Sequence, residues 1–217
     1  MANLSTTSYA ILGLLSLRSW TTYELTEQMQ RALGQFWPRA ESGIYTEPKK
    51  LVDAGYAKAQ TEYVGQRPRQ RYTITAAGRK ALRQWIPTPG APPQVEFEQL
   101  IKVFFAERGT TADLLHTLRT IKEENEDRSA AAQNIPHEYL ENRGGYPERL
   151  PWILIVGQFI NEWEQLIDRW STWAIDLVEQ WPDDITQAEP SWDTLQQMAD
   201  RADAFVARVA ARGSNTT

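Results

Sequence analysis

Residues 38–72 read PRAESGIYTEPKKLVDAGYAKAQTEYVGQRPRQRY, and the fold turns on how this stretch is read. Its first half predicts a short helix, with Ile44, Leu51 and Val52 as apolar sites and Tyr45, Lys49 and Lys50 beside them. Its second half predicts a β-hairpin: one strand over Ala57 to Val64, a tip over Gly65 to Arg69, and a return over Gln70 to Ile74. A helix followed by a hairpin with an arginine-rich tip is the reading half of a winged helix. The helix is sized for a major groove and the basic tip can reach neighbouring phosphates. Pro48 interrupts this pattern, because inside a helix it removes a backbone hydrogen bond and clashes with the carbonyl four residues back. Either the helix begins late, with Pro48 in its first turn, or it is kinked there.

The residues upstream supply the rest of such a domain. Ser5 or Thr6 can cap a first helix running to about Leu17, whose apolar residues cover most of its circumference and mark it as buried. Thr21-Thr22-Tyr23-Glu24 matches a capping box for a second helix. That helix runs to about Leu33, with Tyr23, Leu25, Met29 and Leu33 on its inner side, and Gly34 ends it. Downstream of the hairpin, Thr75 opens a fourth helix to about Ile86.

The stretch PTPGAPP at 87–93 is stiff and turn-rich, and it marks the domain boundary. The expected organisation is a winged-helix domain over 1–87, a Pro-rich linker over 88–94, a helical domain over 95–212 and a disordered tail over 213–217. Within the helical part, Phe97, Leu100, Ile101, Phe104 and Phe105 mark one helix. Leu114, Leu115, Leu118 and Ile121 mark the next, and 135–147 reads as a loop. Trp152, Val156, Phe159, Trp163, Leu166, Trp170, Trp173 and Leu177 then repeat at alternating spacings of four and three, an a/d seam over nearly four heptads. Ile153, Ile160, Ile167 and Ala174 lie one position on and widen this face. It could pack on its own bundle, on a second subunit, or on both. Val156, Phe159, Trp163, Leu166, Trp170 and Trp173 are the candidate dimer-interface residues. A last helix from Ser191 to about Ala211 would turn Trp192, Leu195, Met198, Ala199, Ala202, Phe205 and Val209 inward.

The net charge of −5 conceals an asymmetry. Residues 1–86 carry twelve Lys and Arg against six Asp and Glu, and the remainder carries eleven against twenty-two. A basic head on an acidic body is what a nucleic-acid-binding domain joined to a domain of another kind shows. With no cysteine, disulfides, thiolate catalysis and Cys-ligated zinc are excluded. His116 and His137 have no carboxylate pattern near them, so no metal site is expected. No phosphate loop, dinucleotide fingerprint, nucleophile elbow or HExxH motif is present, so neither an enzyme nor a cofactor is indicated. No leader or membrane-spanning stretch is read, which points to the cytoplasm.

Three pieces together, LSTTSYAILGLLS, FWPRAESGIYTEPKKLVDAGYA and GQRPRQRYTITAAGRKAL, resemble PadR-type transcriptional regulators in order and spacing over about residues 4–86. The resemblance implies a mainly α fold: an N-terminal winged helix-turn-helix with a small β-hairpin wing, and a C-terminal all-α dimerisation domain. It implies a homodimeric, mostly repressive regulator that binds an inverted repeat in double-stranded DNA and responds to small aromatic effectors. Carried over by position, Tyr45 matches the recognition-helix tyrosine, with Ser42 and Lys49 near it, while Arg67 and Arg69 match the basic wing tip and Gly65 and Pro68 its turn. Lys50 and Arg71 join these as candidate DNA contacts from their own positions. Under the same resemblance Trp152, Trp163, Phe97 and Phe104 are the candidate residues for stacking on a flat effector. The rival reading is a helical ligand-binding or protein-interaction module whose winged helix serves a protein partner.

Overall fold

A computed structural model describes residues 4–37 and 44–214. The chain divides into two compact units, one ending at Gln94 and the other beginning at Val95.

In the first unit, helix α1 (Thr6–Leu17) is capped by Ser5, whose hydroxyl accepts from the Ser8 amide. Ile11, Leu12, Leu14 and Leu15 on α1 are buried, as its all-round apolar sequence predicts. Trp20 and Thr21 form a two-residue strand, β1, which the sequence does not announce. The buried Trp20 indole donates to the Leu14 carbonyl at 2.8 Å, so its one polar group is satisfied. Helix α2 (Thr22–Leu33) starts at the expected capping box: the Thr21 hydroxyl accepts from the Glu24 amide, and the Glu24 carboxylate accepts from the Thr21 amide. Leu25 and Met29 face inward, but Tyr23 is exposed, because it lies two residues from Leu25 and so falls on another side of the helix.

Helix α3 (Glu47–Asp53) carries Pro48 in its first turn, where a missing amide costs nothing. The helix begins late and is not kinked at the proline. It ends in a Schellman motif: Gly55 has φ 77°, its amide donates to Val52 O and the Tyr56 amide to Leu51 O. Strands β2 (Ala57–Val64) and β3 (Arg67–Ile74) pair antiparallel from Ala57↔Ile74 to Val64↔Arg67. The turn is therefore two residues long, with Gly65 at φ 60° in its first central position, as a II′ hairpin turn requires. The return strand begins at Arg67, three residues earlier than its sequence suggests, since Pro68 and Arg69 continue the ladder. β3 lies between β2 and β1, giving the order β1-β3-β2. Helix α4 (Ala76–Trp85) is capped by Thr75, and its Trp85 stacks on Tyr9 of α1 with centroids 4.7 Å apart.

From Pro89 to Phe97 the chain has no helix or strand. The second unit is helical: α5 (Glu98–Phe104), a 3-10 turn at Ala106–Arg108, α6 (Thr111–Ala132), α7 (Asn134–Leu140), α8 (Leu150–Val178) and α9 (Trp192–Ser214). Helix α7 occupies part of the expected loop over 135–147, with Pro136 tolerated in its first turn. Helices α6 and α8 run antiparallel, because partners on α8 fall in number as those on α6 rise. Arg119 pairs with Glu179 at 2.7 Å, Lys122 with Asp168 at 2.6 Å, and the Asn125 amide donates to Glu164 O at 3.0 Å. Leu114, Leu118 and Ile121 pack there against Ile167, Ala174, Val178 and Ile185.

Only part of the expected face on α8 is used within this unit. The buried stripe is the one carrying Ile167, Ser171, Ala174 and Val178, turned about one residue from the a/d seam. Of the seam, Trp163 and Trp170 are half-buried against the core, whereas Val156, Phe159, Leu166 and Trp173 are exposed. The apolar residues expected to face inward on α9 are also exposed.

Gly78 packs helix α4 on the hairpin base. A Cβ there would run into the Tyr56 carbonyl oxygen and lie 2.9 Å from Ile74 Cγ1. Gly78→Ala is therefore expected to lower the unfolding free energy by about 1–3 kcal/mol in urea titration, although alanine has the higher helix propensity.

Candidate nucleic-acid interface

The wing is built by strand alternation. Tyr72 and Ile74 point into the core, which puts Arg67, Arg69, Arg71 and Thr73 on the opposite face of β3. Across the ladder Glu62 stands opposite Arg69, and Gln60 opposite Arg71. Arg67 and Arg69 are exposed near the tip, and Arg69 lies 3.4 Å from a Glu62 oxygen. With both groups partly solvated, that pair is weak and a phosphate can compete for the guanidinium.

Arg71, the third candidate arginine, has partners within its own unit. Its Nε donates to Glu62 at 2.6 Å, and its Nη1 to Ser19 O at 3.2 Å and to Glu24 at 3.3 Å. Glu24 also closes the capping box of α2, so one guanidinium links the root of the wing to the start of that helix. The hydrogen bond to Glu62 and the Glu24 and Glu62 charges raise the Arg71 pKa. The Glu24 carboxyl is held below its ordinary value, first by the Thr21 amide and also by Arg71. Sequence spacing did not reveal this network, whose members are 9, 47 and 52 residues from Arg71. The alternation of β3 placed Arg71 on the right face but not its partners.

The other half of the interface is the segment leading into α3. Tyr45 is 68% exposed although Ile44 beside it is fully buried, so the tyrosine ring projects from a fixed anchor. Lys49 and Lys50 are both exposed. Lys50 donates to Glu47 at 2.7 Å, which leaves Lys49 as the more available cation of the two. Ser42 lies outside the described residues.

Glu47, which the sequence reading passed over, secures this segment. It is a buried acid whose carboxylate accepts from Ser5 Oγ at 3.0 Å and from Ser8 Oγ, besides Lys50. It thereby ties the start of α3 to the start of α1. Burial pushes its pKa up, but the hydrogen bonds from Lys50, Ser8 and Ser5 outweigh burial and hold it below the ordinary value.

The four aromatic residues nominated for an effector do not share one cavity. Trp152 is exposed, Trp163 packs against the α6–α8 core, Phe97 meets Trp170 edge-on at 6.5 Å, and Phe104 stands 77% exposed against Phe105. A cavity of about 380 Å³ lies instead among Leu114, Leu118, Trp170, Trp173 and Trp181, with Glu107 at its edge. Phe97 and Phe104 line a separate, more open groove formed by 95–105. Among the described residues no helix is long and apolar enough to cross a membrane, and no cluster of three potential metal ligands occurs.

Residues 11–84 match the model of the Transcriptional regulator PadR-like family. The Negative transcriptional regulator PadR of Bacillus subtilis is 37% identical over 99 residues, which cover 45% of this chain and 54% of that protein. The chain thus spans about half the length of the curated relatives it matches. Among solved structures, Bacillus subtilis PadR in complex with operator DNA superposes with a TM-score of 0.65 at 24% identity, over 80% of this chain and 99% of that one. The same protein in complex with p-coumaric acid superposes at 0.58 and 22% identity, over 82% and 99%. These superpositions show a shared fold: a winged helix followed by a helical region.

The Glu47 network has a pH signature. A carboxyl whose folded pKa lies below its unfolded value stabilises the fold above the unfolded value, and that stability is lost as pH falls through the folded one. Acid unfolding followed by circular dichroism should therefore be shallower over this range in Glu47→Gln than in the parent, with the parent more stable at neutral pH.

Proposed function

We propose that this chain, whose winged-helix unit is of the PadR-like family, is a homodimeric, ligand-responsive repressor of transcription in the cytoplasm. The observation that carries the reading is the pairing, in a unit matched over residues 11–84, of an exposed basic wing tip with an anchored recognition segment. Tyr45 and Lys49, with Ser42, serve the major groove, and Arg67 and Arg69 reach the flanking backbone. Lys50 contributes charge when not paired with Glu47. Arg71 sets the pose of the wing and is not itself a base reader.

The exposed stripe of α8 supports the dimer. Val156, Phe159, Leu166 and Trp173 recur along one face, with Trp163 and Trp170 at its border, and burying such residues against a second copy removes a large apolar area from water. A dimer of this kind presents two wings and two recognition segments to successive major grooves, about 34 Å apart. An effector held by the tryptophan-lined helical region acts by favouring one dimer geometry over another, and only by as much as it prefers that geometry. The p-coumaric acid complex of the Bacillus subtilis relative supports a small aromatic acid as a first compound to try.

A protein-interaction role for the winged helix is the competing reading, and DNA titration separates the two. Full-length protein titrated against duplex DNA from its own upstream region, with a scrambled duplex as competitor, should bind specifically and lose affinity steeply with salt. The log–log slope is expected at roughly −0.9 per phosphate contact, so Arg67→Ala/Arg69→Ala should flatten it by about 1.8 if each arginine makes one. Arg71→Ala should leave the slope unchanged and lower thermal stability. Folded, dimeric protein that binds no duplex at low salt would overturn the proposal.

A further inference from the structure

Glu62 is the one acid in the sequence of the hairpin. Residues 57–74 otherwise carry Lys58, Arg67, Arg69 and Arg71, so a single carboxylate stands among four cations. The ladder puts it on the face that the arginines share, directly opposite Arg69 and diagonal to Arg67 and Arg71. An acid in that place repels any phosphate that approaches the arginines. Glutamate is also depleted in strands, so local preference does not account for it.

The two carboxylate oxygens serve different groups. Oε1 accepts from Arg71 Nε at 2.6 Å, and that guanidinium goes on to Ser19 O and to Glu24. Oε2 stands 3.4 Å from Arg69 Nε. Among the described residues the ion pairs of Glu62 are these two, and Arg67 is not one of them. The Arg71 side chain is 23% exposed and held at three points, whereas that of Arg69 is 47% exposed. Arg69 is therefore the one that can leave. A phosphate that takes Arg69 must displace Oε2 from it. The carboxylate then remains nearby, because Arg71 fixes its other oxygen and keeps it from swinging away.

We propose that Glu62 is an affinity-setting residue. It competes with phosphate for Arg69 and holds binding by the wing below what the arginines alone would give. The proposal rests on the DNA reading of the wing. The contested contact is to the backbone, which carries no sequence information, so the competition weakens binding to every duplex by the same factor. Glu62 thus lowers affinity and leaves discrimination between sequences unchanged.

Glu62→Gln separates the brace from the competitor. The amide oxygen can still accept from Arg71, and the amide nitrogen in place of the other oxygen cannot hold Arg69. Full-length parent and variants with matching circular dichroism spectra are titrated at low salt by fluorescence anisotropy. One duplex comes from the protein's own upstream region and the other is scrambled. Glu62→Gln is expected to tighten binding to both by the same factor, up to about fivefold. A merely structural role has the opposite sign, because a loosened wing binds more weakly. The gain should persist in an Arg67→Ala background and fall to less than half in an Arg69→Ala background, where no guanidinium remains to be freed. A gain of the same size in both backgrounds would mean that Glu62 acts through its charge alone, and would overturn the competition. Unchanged or weaker binding of Glu62→Gln, or a gain confined to one duplex, would also overturn it. A parent protein that binds neither duplex would instead overturn the DNA reading, and the proposal with it.

Discussion

Everything the first unit presents outward depends on the antiparallel ladder between β2 and β3. Eight residue pairs joined by a two-residue turn leave no slack in register. A slip of one residue would turn Tyr72 and Ile74 to solvent and bring the arginines into the core. With the register held, Arg67 and Arg69 are carried to the tip on one face. Arg71 on the same face reaches back through Glu62, Glu24 and Ser19 to the start of α2. The wing is therefore braced at its root, and the ends that would meet a phosphate remain solvated. The recognition segment is braced in a comparable way, by Ile44 in the core and Glu47 against the serines of α1.

Local signals were legible in the sequence where the chemistry is local. The Thr21–Glu24 capping box and the caps at Ser5 and Thr75 each act within a few residues, and each stands where the sequence places it. Non-local partners left no such trace. Nothing in the spacing of Arg71 points to Ser19 or Glu24, and nothing beside Glu47 points to Ser5 and Ser8, because the fold alone brings them together. The same limit applies to α7 and β1. The first was hidden by Pro136, which the first turn of a helix accepts, and the second is too short to show a period.

Helix α8 shows how a correct period can leave orientation open. The heptad count gave its extent and its apolar breadth. It could not say which of two adjacent stripes would meet α6. In the structure Ile167, Ala174 and Val178 turn inward, with Lys122 on Asp168 and Asn125 on the Glu164 carbonyl beside them, and Phe159, Leu166 and Trp173 face out. The tryptophans that come together are those one helical turn apart near the end of α8, Trp170 and Trp173, with Trp181 beyond it. Of the effector candidates, Phe97 and Phe104 line one open groove, and Trp152 and Trp163 lie on α8 apart from it.

The central claim is that two copies of this unit read DNA together at a spacing set by the helical region. Hydroxyl-radical footprinting of the full-length protein on its highest-affinity duplex tests it most directly. The account predicts two equivalent protected patches related by two-fold symmetry, with centres about 10 base pairs apart or a multiple of that. A single patch, or protection without symmetry, would contradict it.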